Sequence, residues 1–186
     1  MNGPGVHHNL IAKDIGYFLQ CVANLELTLD DVLCLANARR ERLGKLLPKK
    51  YPNSVLEKID VAAALSYHLD CPSFAAKDIF ERILEGRHQL SHGAITHINP
   101  ASDGYSLSIA KMGRPTREAG QQTMVRQTYS LSKSEIISFA QVLDETQDKL
   151  RALERAVFGA GDGWPTFLVL PYGDPLGVRQ LAEKLK

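Results

Sequence analysis

Residues 73–94 read Ser73-Phe74-Ala75-Ala76-Lys77-Asp78-Ile79-Phe80-Glu81-Arg82-Ile83-Leu84-Glu85-Gly86-Arg87-His88-Gln89-Leu90-Ser91-His92-Gly93-Ala94. At about 100° per residue, Ala76, Ile79, Phe80, Ile83, Leu90 and Ala94 share one sector of a helical wheel. This predicts a helix capped by Ser73 and running to about Ala94. Arg87 falls inside the same apolar sector. An arginine cannot shed its charge, so it demands a carboxylate, a phosphate or an interface that supplies one. His88 and His92, four residues apart, lie beside each other on the flank of the helix, with Ser91 between them and the stripe.

Upstream, Ile15, Phe18, Leu19, Val22, Leu29, Val32, Leu33 and Ala36 recur at helical spacing and predict one long helix from about Asp14 to Arg42. It runs into the most basic stretch of the chain. Arg39, Arg40, Arg42, Lys45, Lys49 and Lys50 stand against Glu41 alone. Cations at a helix C-terminus complement its dipole, and the same cluster is a candidate contact for nucleic-acid phosphates. A second helix opens at Ser54-Val55-Leu56-Glu57, where a serine followed three residues later by glutamate forms a capping box. Val55, Ile59, Ala62, Ala63 and Tyr67 mark one side of it, and Asp70-Cys71-Pro72 breaks it.

Downstream the period changes. Tyr105, Leu107 and Ile109 alternate with Ser106, Ser108 and Ala110, and Val125, Tyr129 and Leu131 alternate with Arg126, Thr128 and Ser130. With a Gly-, Pro- and Arg-containing loop from Gly113 to about Gln122 between them, they predict a β-hairpin at about 105–131. Loop arginines Arg114 and Arg117 join the candidate nucleic-acid contacts. The last long helix starts at Ser132, whose capping partner is Glu135, with Leu131 and Ile136 placed as a hydrophobic staple. Ile136, Phe139, Ala140, Leu143, Leu150, Leu153 and Val157 carry its stripe to Gly159. Beyond it, residues 160–186 form a C-terminal extension, with a short strand expected at Thr166–Leu170 and a short helix at Leu176–Lys186. Trp164 and Phe167 are its candidate anchors on a partner subunit.

A chain of 186 residues, 44% hydrophobic, is long enough for one core without staples. The formal net charge of +1 gives no global electrostatic footprint, so any nucleic-acid contact must use a local patch. Cys21, Cys34 and Cys71 are odd in number, widely spaced and without a CxxC pair, which reads as small buried residues in a reduced compartment. Met1–Asp14 lacks a basic segment followed by an apolar one, so no signal peptide is expected. No apolar run nears the roughly 20 residues that cross a bilayer. The expectation is a cytoplasmic protein with no membrane partner.

Three chemistries compete for the Arg87–His92 segment. Arg87 pairs with a carboxylate of the first helix, Glu26 or Asp30, while both histidines are solvated. Alternatively, His88 and His92 ligate a metal as an i, i+4 pair, with His97 as the one further histidine nearby and no acid between them as in H-E-x-x-H. In the third reading Arg87 stabilises charge on a phosphate while His92 transfers protons.

Arg87-x-x-x-x-His92 followed by Gly93, late in a central helix, resembles the R-x(4–6)-H signature of the HEPN superfamily of nuclease toxins and defence proteins. His88 stands where the family most often carries Asn or Asp, and Leu90-Ser91-His92-Gly93 is similar to its usual apolar–small–His–Gly ending. The resemblance covers about Asp14 to Gly159. It implies a mainly α fold, a four-to-five-helix up-down bundle of HEPN type over residues 1–159 with the hairpin inserted before the last long helix. It further implies a metal-independent endoribonuclease without cofactor, whose composite site forms where two subunits meet. Arg87, His92 and His88 would be its catalytic residues, RNA its substrate, and an antitoxin or other protein a further partner. The family also holds members without nuclease activity that act as dimeric protein- or nucleic-acid-binding modules. Arg87 and His92 are five residues apart, about 140° around the helix, so one helix does not aim both at one point. A second copy across a two-fold axis relieves this, which predicts a homodimer if the site is catalytic.

Overall fold

The structure is a computed structural model that describes residues 4–112, 116–118, 121–123 and 126–159, with side chains over 9–112 and 126–159. The expected strand and helix of the C-terminal extension, with Trp164 and Phe167, lie outside the described residues. In chain order the elements are α1 (Pro4–Ala38), α2 (Arg40–Leu43), α3 (Val55–His68), α4 (Lys77–His92), β1 (Ala94–Ala101), β2 (Gly104–Met112), β3 (Thr116–Glu118), β4 (Gln121–Thr123), β5 (Arg126–Ser132) and α5 (Lys133–Gly159). The fold is mainly helical with a small antiparallel sheet, ordered β1-β2-β5, and a separate two-stranded ladder of β3 and β4.

The core forms where α1 packs along α5, the most extensive helix contact of the chain. Phe18, Val22, Leu25, Leu29 and Val32 of α1 are buried, as are Ile136, Phe139, Leu143, Leu150, Leu153 and Val157 of α5. Apart from Leu25, which the marked stripe omits, these residues belong to the stripes that the periodicity marks. Phe18 meets Phe139 at 6.0 Å between ring centroids, while Gln147 donates to Thr28 Oγ1 at 2.5 Å further along both helices. Pairing that advances together along both helices means α1 and α5 run in the same direction. Strict up-down alternation of four long helices would set them antiparallel. The three strands of the sheet take up the extra traversal of the molecule.

Two helix starts, those of α3 and α5, behave as their sequences dictate. Ser54 Oγ accepts from the Glu57 amide at 3.2 Å while the Glu57 carboxylate accepts from the Ser54 amide at 3.2 Å. Ser132 and Glu135 repeat the arrangement at 3.2 and 2.9 Å before α5. Replacing Ser132 by alanine leaves the Glu135 amide without its acceptor, and urea titration should show a loss of about 1 kcal/mol with an unchanged slope.

Elsewhere the structure corrects the pattern. Helix α1 begins ten residues before Asp14, with Pro4 at its first position, and it breaks at Arg39. On α3 the buried face is Ile59, Ala62, Leu65 and Ser66, whereas Tyr67 is 91% exposed. Ser73 does not cap α4. Ala76 holds that position with no side-chain hydrogen bond, because the preceding segment stays extended and lays Phe74 and Ala75 on the core. At the other end Ala94 belongs to β1 rather than to the helix, paired with Ala110.

The hairpin is one strand richer than the sequence suggests. β1 escapes notice because it pairs on one side only, is largely exposed, and is interrupted by a bulge between Ile95 and His97. Pro100, which cannot donate to a ladder, is tolerated on such an edge strand. Part of the expected 113–122 loop is the β3–β4 ladder. The three cysteines are free, Cys21 buried and Cys71 half-buried as small core residues would be, but Cys34 is exposed.

Candidate functional site

Helix α4 is held by its buried residues Phe80, Ile83, Gly86 and Gln89. Gly86 lets it approach α5 closely, since a Cβ there would sit 3.3 Å from the Phe139 ring. The helix ends because Gly93 turns the chain directly under the sheet. A Cβ on Gly93 would meet Ile109 Cγ2 at 2.4 Å and the Gln89 carbonyl oxygen at 2.6 Å. The glycine after His92 thus has a packing reason. Gly93→Ala should lower stability by about 1–3 kcal/mol in thermal or denaturant unfolding, through overpacking.

Between these glycines stand the candidate residues. Arg87 lies at the rim of the buried stripe, its side chain 42% exposed, with Nη2 3.8 Å from Glu26 Oε1 of α1. Of the two carboxylates offered by the first helix, Glu26 is therefore the partner. Asp30 is taken by Lys58 and the Tyr51 hydroxyl, each at 2.6 Å; burial pushes its carboxyl up, but the two bonds together with the Lys58 charge outweigh it and hold the group below the usual range. An ion pair as open and as long as Arg87–Glu26 contributes about 0–1 kcal/mol. Such a pair leaves the guanidinium able to exchange its carboxylate for a phosphate.

His88 is half-buried and His92 exposed. Their rings are 4.8 Å apart between centroids and tilted by 56°. Lys111 Nζ, from β2, bonds His88 Nε2. Lys111 has a signal in the sequence. Tyr105, Leu107 and Ile109 are buried on the helix-facing side of β2, and Lys111 is the next residue of that alternation. Three elements therefore build the site: α1 gives Glu26, α4 gives Arg87, His88 and His92, and β2 gives Lys111.

In the basic stretch, Arg39 follows Glu26 by 13 residues, about 20 Å of helix rise, whereas the chain beyond it folds back along α1 to Tyr51, whose hydroxyl bonds Asp30 one turn from Glu26. Arg40 is a loop clamp, donating to Asn37 Oδ1 at 2.8 Å and to the Pro48 carbonyl at 3.1 Å. Arg39 is half-buried, with Nε and Nη2 buried and unpaired. Arg42, Lys45, Lys49 and Lys50 are exposed. Arg114 and the side chain of Arg117 lie outside the described residues.

Other chemistry-bearing clusters have structural explanations. Between α1 and α5 the Tyr17 hydroxyl donates to Asp144 at 2.6 Å and the Cys21 thiol donates to the same carboxylate at 3.6 Å. The Asp144 bond pushes the Tyr17 phenol up to about 12, and burial followed by Asp144 raises the Cys21 thiol. Both groups are therefore held protonated, the opposite of what a nucleophile needs. As for metal, no group of three or more His, Cys, Asp or Glu among the described residues is placed to hold an ion. His97 sits exposed on β1 with Nδ1 3.2 Å from Thr96 Oγ1, so His88, His92 and His97 do not form a ligand set. Set against protein-family models, curated proteins and solved structures, the chain matches none, and the site is read from its own residues.

Proposed function

We propose that this protein is a metal-independent endoribonuclease of HEPN type that works as a cytoplasmic homodimer in a toxin or defence role. The observation that carries the reading is the accessible end of α4, where the His88 and His92 rings lie 4.8 Å apart and no buried ion pair immobilises Arg87. In the reaction the ribose 2′-oxygen attacks the adjacent phosphorus, and a histidine acting as base takes the 2′-hydroxyl proton. The P–O5′ bond then breaks, and the leaving 5′-oxygen receives a proton. Products are a 2′,3′-cyclic phosphate and a 5′-hydroxyl. Arg87 neutralises the charge that builds on the pentacoordinate phosphorus, and His92 moves the protons, its ring type being suited to both roles near neutral pH. Because Arg87 and His92 diverge by about 140° around one helix, the complete set requires the second copy across a two-fold interface. The exposed Arg42, Lys45, Lys49 and Lys50 supply a further contact for RNA phosphates. An antitoxin is a further partner on this reading.

Product analysis is the test. EDTA-treated protein should leave cyclic-phosphate and 5′-hydroxyl ends on RNA and should not cut the same sequence carrying 2′-deoxyribose. Ends of another chemistry, or cutting of the deoxy substrate, would count against 2′-hydroxyl attack. A second reading is favoured by the Arg87–Glu26 contact, which ties α4 to α1. On it the chain is a catalytically inactive HEPN-like dimer that binds protein or nucleic acid, and Arg87 serves the interface rather than a substrate.

A further inference from the structure

Lys111 has no place in the R-x(4–6)-H pattern, yet it touches the site more closely than Glu26 does. An ammonium group has three donors and no acceptor, while a neutral imidazole has one of each. The bond between Lys111 Nζ and His88 Nε2 therefore uses the Nε2 lone pair and leaves the ring proton on Nδ1. Lys111 is well placed to hold this arrangement. Its backbone lies in β2, opposite Gln127 of β5, and its side of the strand faces the helices through the buried Tyr105, Leu107 and Ile109. His88, half-buried against Lys111, in turn presents its ring to the exposed His92 at 4.8 Å.

We infer that Lys111 is a positioning residue that divides the work between the two histidines, fixing His88 as an Nδ1–H donor and leaving His92 as the ring that exchanges protons. The fixed donor suits an anionic phosphate oxygen, because it offers a hydrogen bond without competing for the proton in transfer. His88 also forms a wall that orients His92. The assignment of catalytic roles rests on the ribonuclease reading; the tautomer does not.

Long-range ¹H–¹⁵N correlation of the imidazoles in the full-length protein, at mildly alkaline pH where histidines are neutral, tests the tautomer directly. Wild type should show His88 protonated on Nδ1. Lys111→Met should move the proton toward Nε2, and Lys111→Arg, which keeps a donor, should hold it on Nδ1. In RNA cleavage Lys111→Met should lower kcat by about tenfold or more with KM within about twofold, the signature of lost orientation, and Lys111→Arg should recover most of it. His88 with its proton on Nε2 in wild type, or a tautomer unmoved in folded Lys111→Met, would overturn the inference. If Lys111→Met does not fold, the wild-type spectrum decides alone. A wild-type protein that shows the Nδ1 proton but cuts no RNA would overturn the ribonuclease reading, and with it the division of roles. A fall in KM-dependent binding with kcat unchanged would make Lys111 a substrate contact and overturn the positioning role.

Discussion

His92→Ala should slow RNA cleavage by about 10²–10⁴-fold, the range lost with a positioned general acid–base, while leaving the unfolding midpoint close to wild type. The expectation of unchanged stability comes from the structure. His92 is exposed at the end of α4, and its described contact is with the His88 ring. Little apolar surface is exchanged when it is removed. Arg87→Ala should fall by about 10²–10³-fold for loss of charge stabilisation, again at small cost to the fold, since its Glu26 contact is long and open. Activity measured beside thermal unfolding separates this account from the binding-module reading. There, both substitutions would lower dimer mass or stability without any cleavage to lose.

Phe139→Ala should produce the largest change in stability, about 3–5 kcal/mol, because its ring joins three helices. It packs on Phe18 of α1 at 6.0 Å, would lie 3.3 Å from a Cβ added at Gly86 of α4, and sits under the Arg82 guanidinium at 5.8 Å. The cavity left behind has walls on separate helices, which limits collapse. For a chain of this size the loss corresponds to a fall in melting temperature of roughly 10 °C. A change below about 1 kcal/mol would mean that α4 does not seat on α5 through this ring. Since Gly86 immediately precedes Arg87, loosening that seat should also reduce cleavage under conditions where the variant is still folded.

Much of the fold was legible because its long helices bury regular stripes. Phe18, Val22, Leu29 and Val32 on one helix and Ile136 to Val157 on another are the residues that the structure buries. The capping boxes at Ser54 and Ser132 were legible for a different reason, since their hydrogen bonds are local. What escaped was set by tertiary contact. β1 has little alternation because it is an exposed edge, and the true start of α4 depends on where Phe74 and Ala75 lie against the core. The parallel course of α1 and α5 could not be read from periodicity, which is blind to direction.

For the site, the sequence offered Arg87, His88 and His92 as one segment and Glu26 as a candidate partner of the arginine. The arginine proved to lie at the rim rather than within the stripe, because Gly86 and Gln89, not Arg87, face the core there. For the basic stretch the sequence carries no distance to the site; the return of the chain to Asp30 at Tyr51 is a tertiary contact that periodicity does not show. Lys111 was legible in principle, as a cation continuing the buried alternation of Tyr105, Leu107 and Ile109.

The most direct measurement is cleavage of labelled transfer RNA and mixed cellular RNA in EDTA by wild type, Arg87→Ala and His92→Ala, each verified for folding and dimer mass. The account predicts that wild type cuts and that both folded variants lose cutting by at least about two orders of magnitude. Wild type that cuts none of these RNAs, or a folded His92→Ala variant that cuts at the wild-type rate, would contradict it.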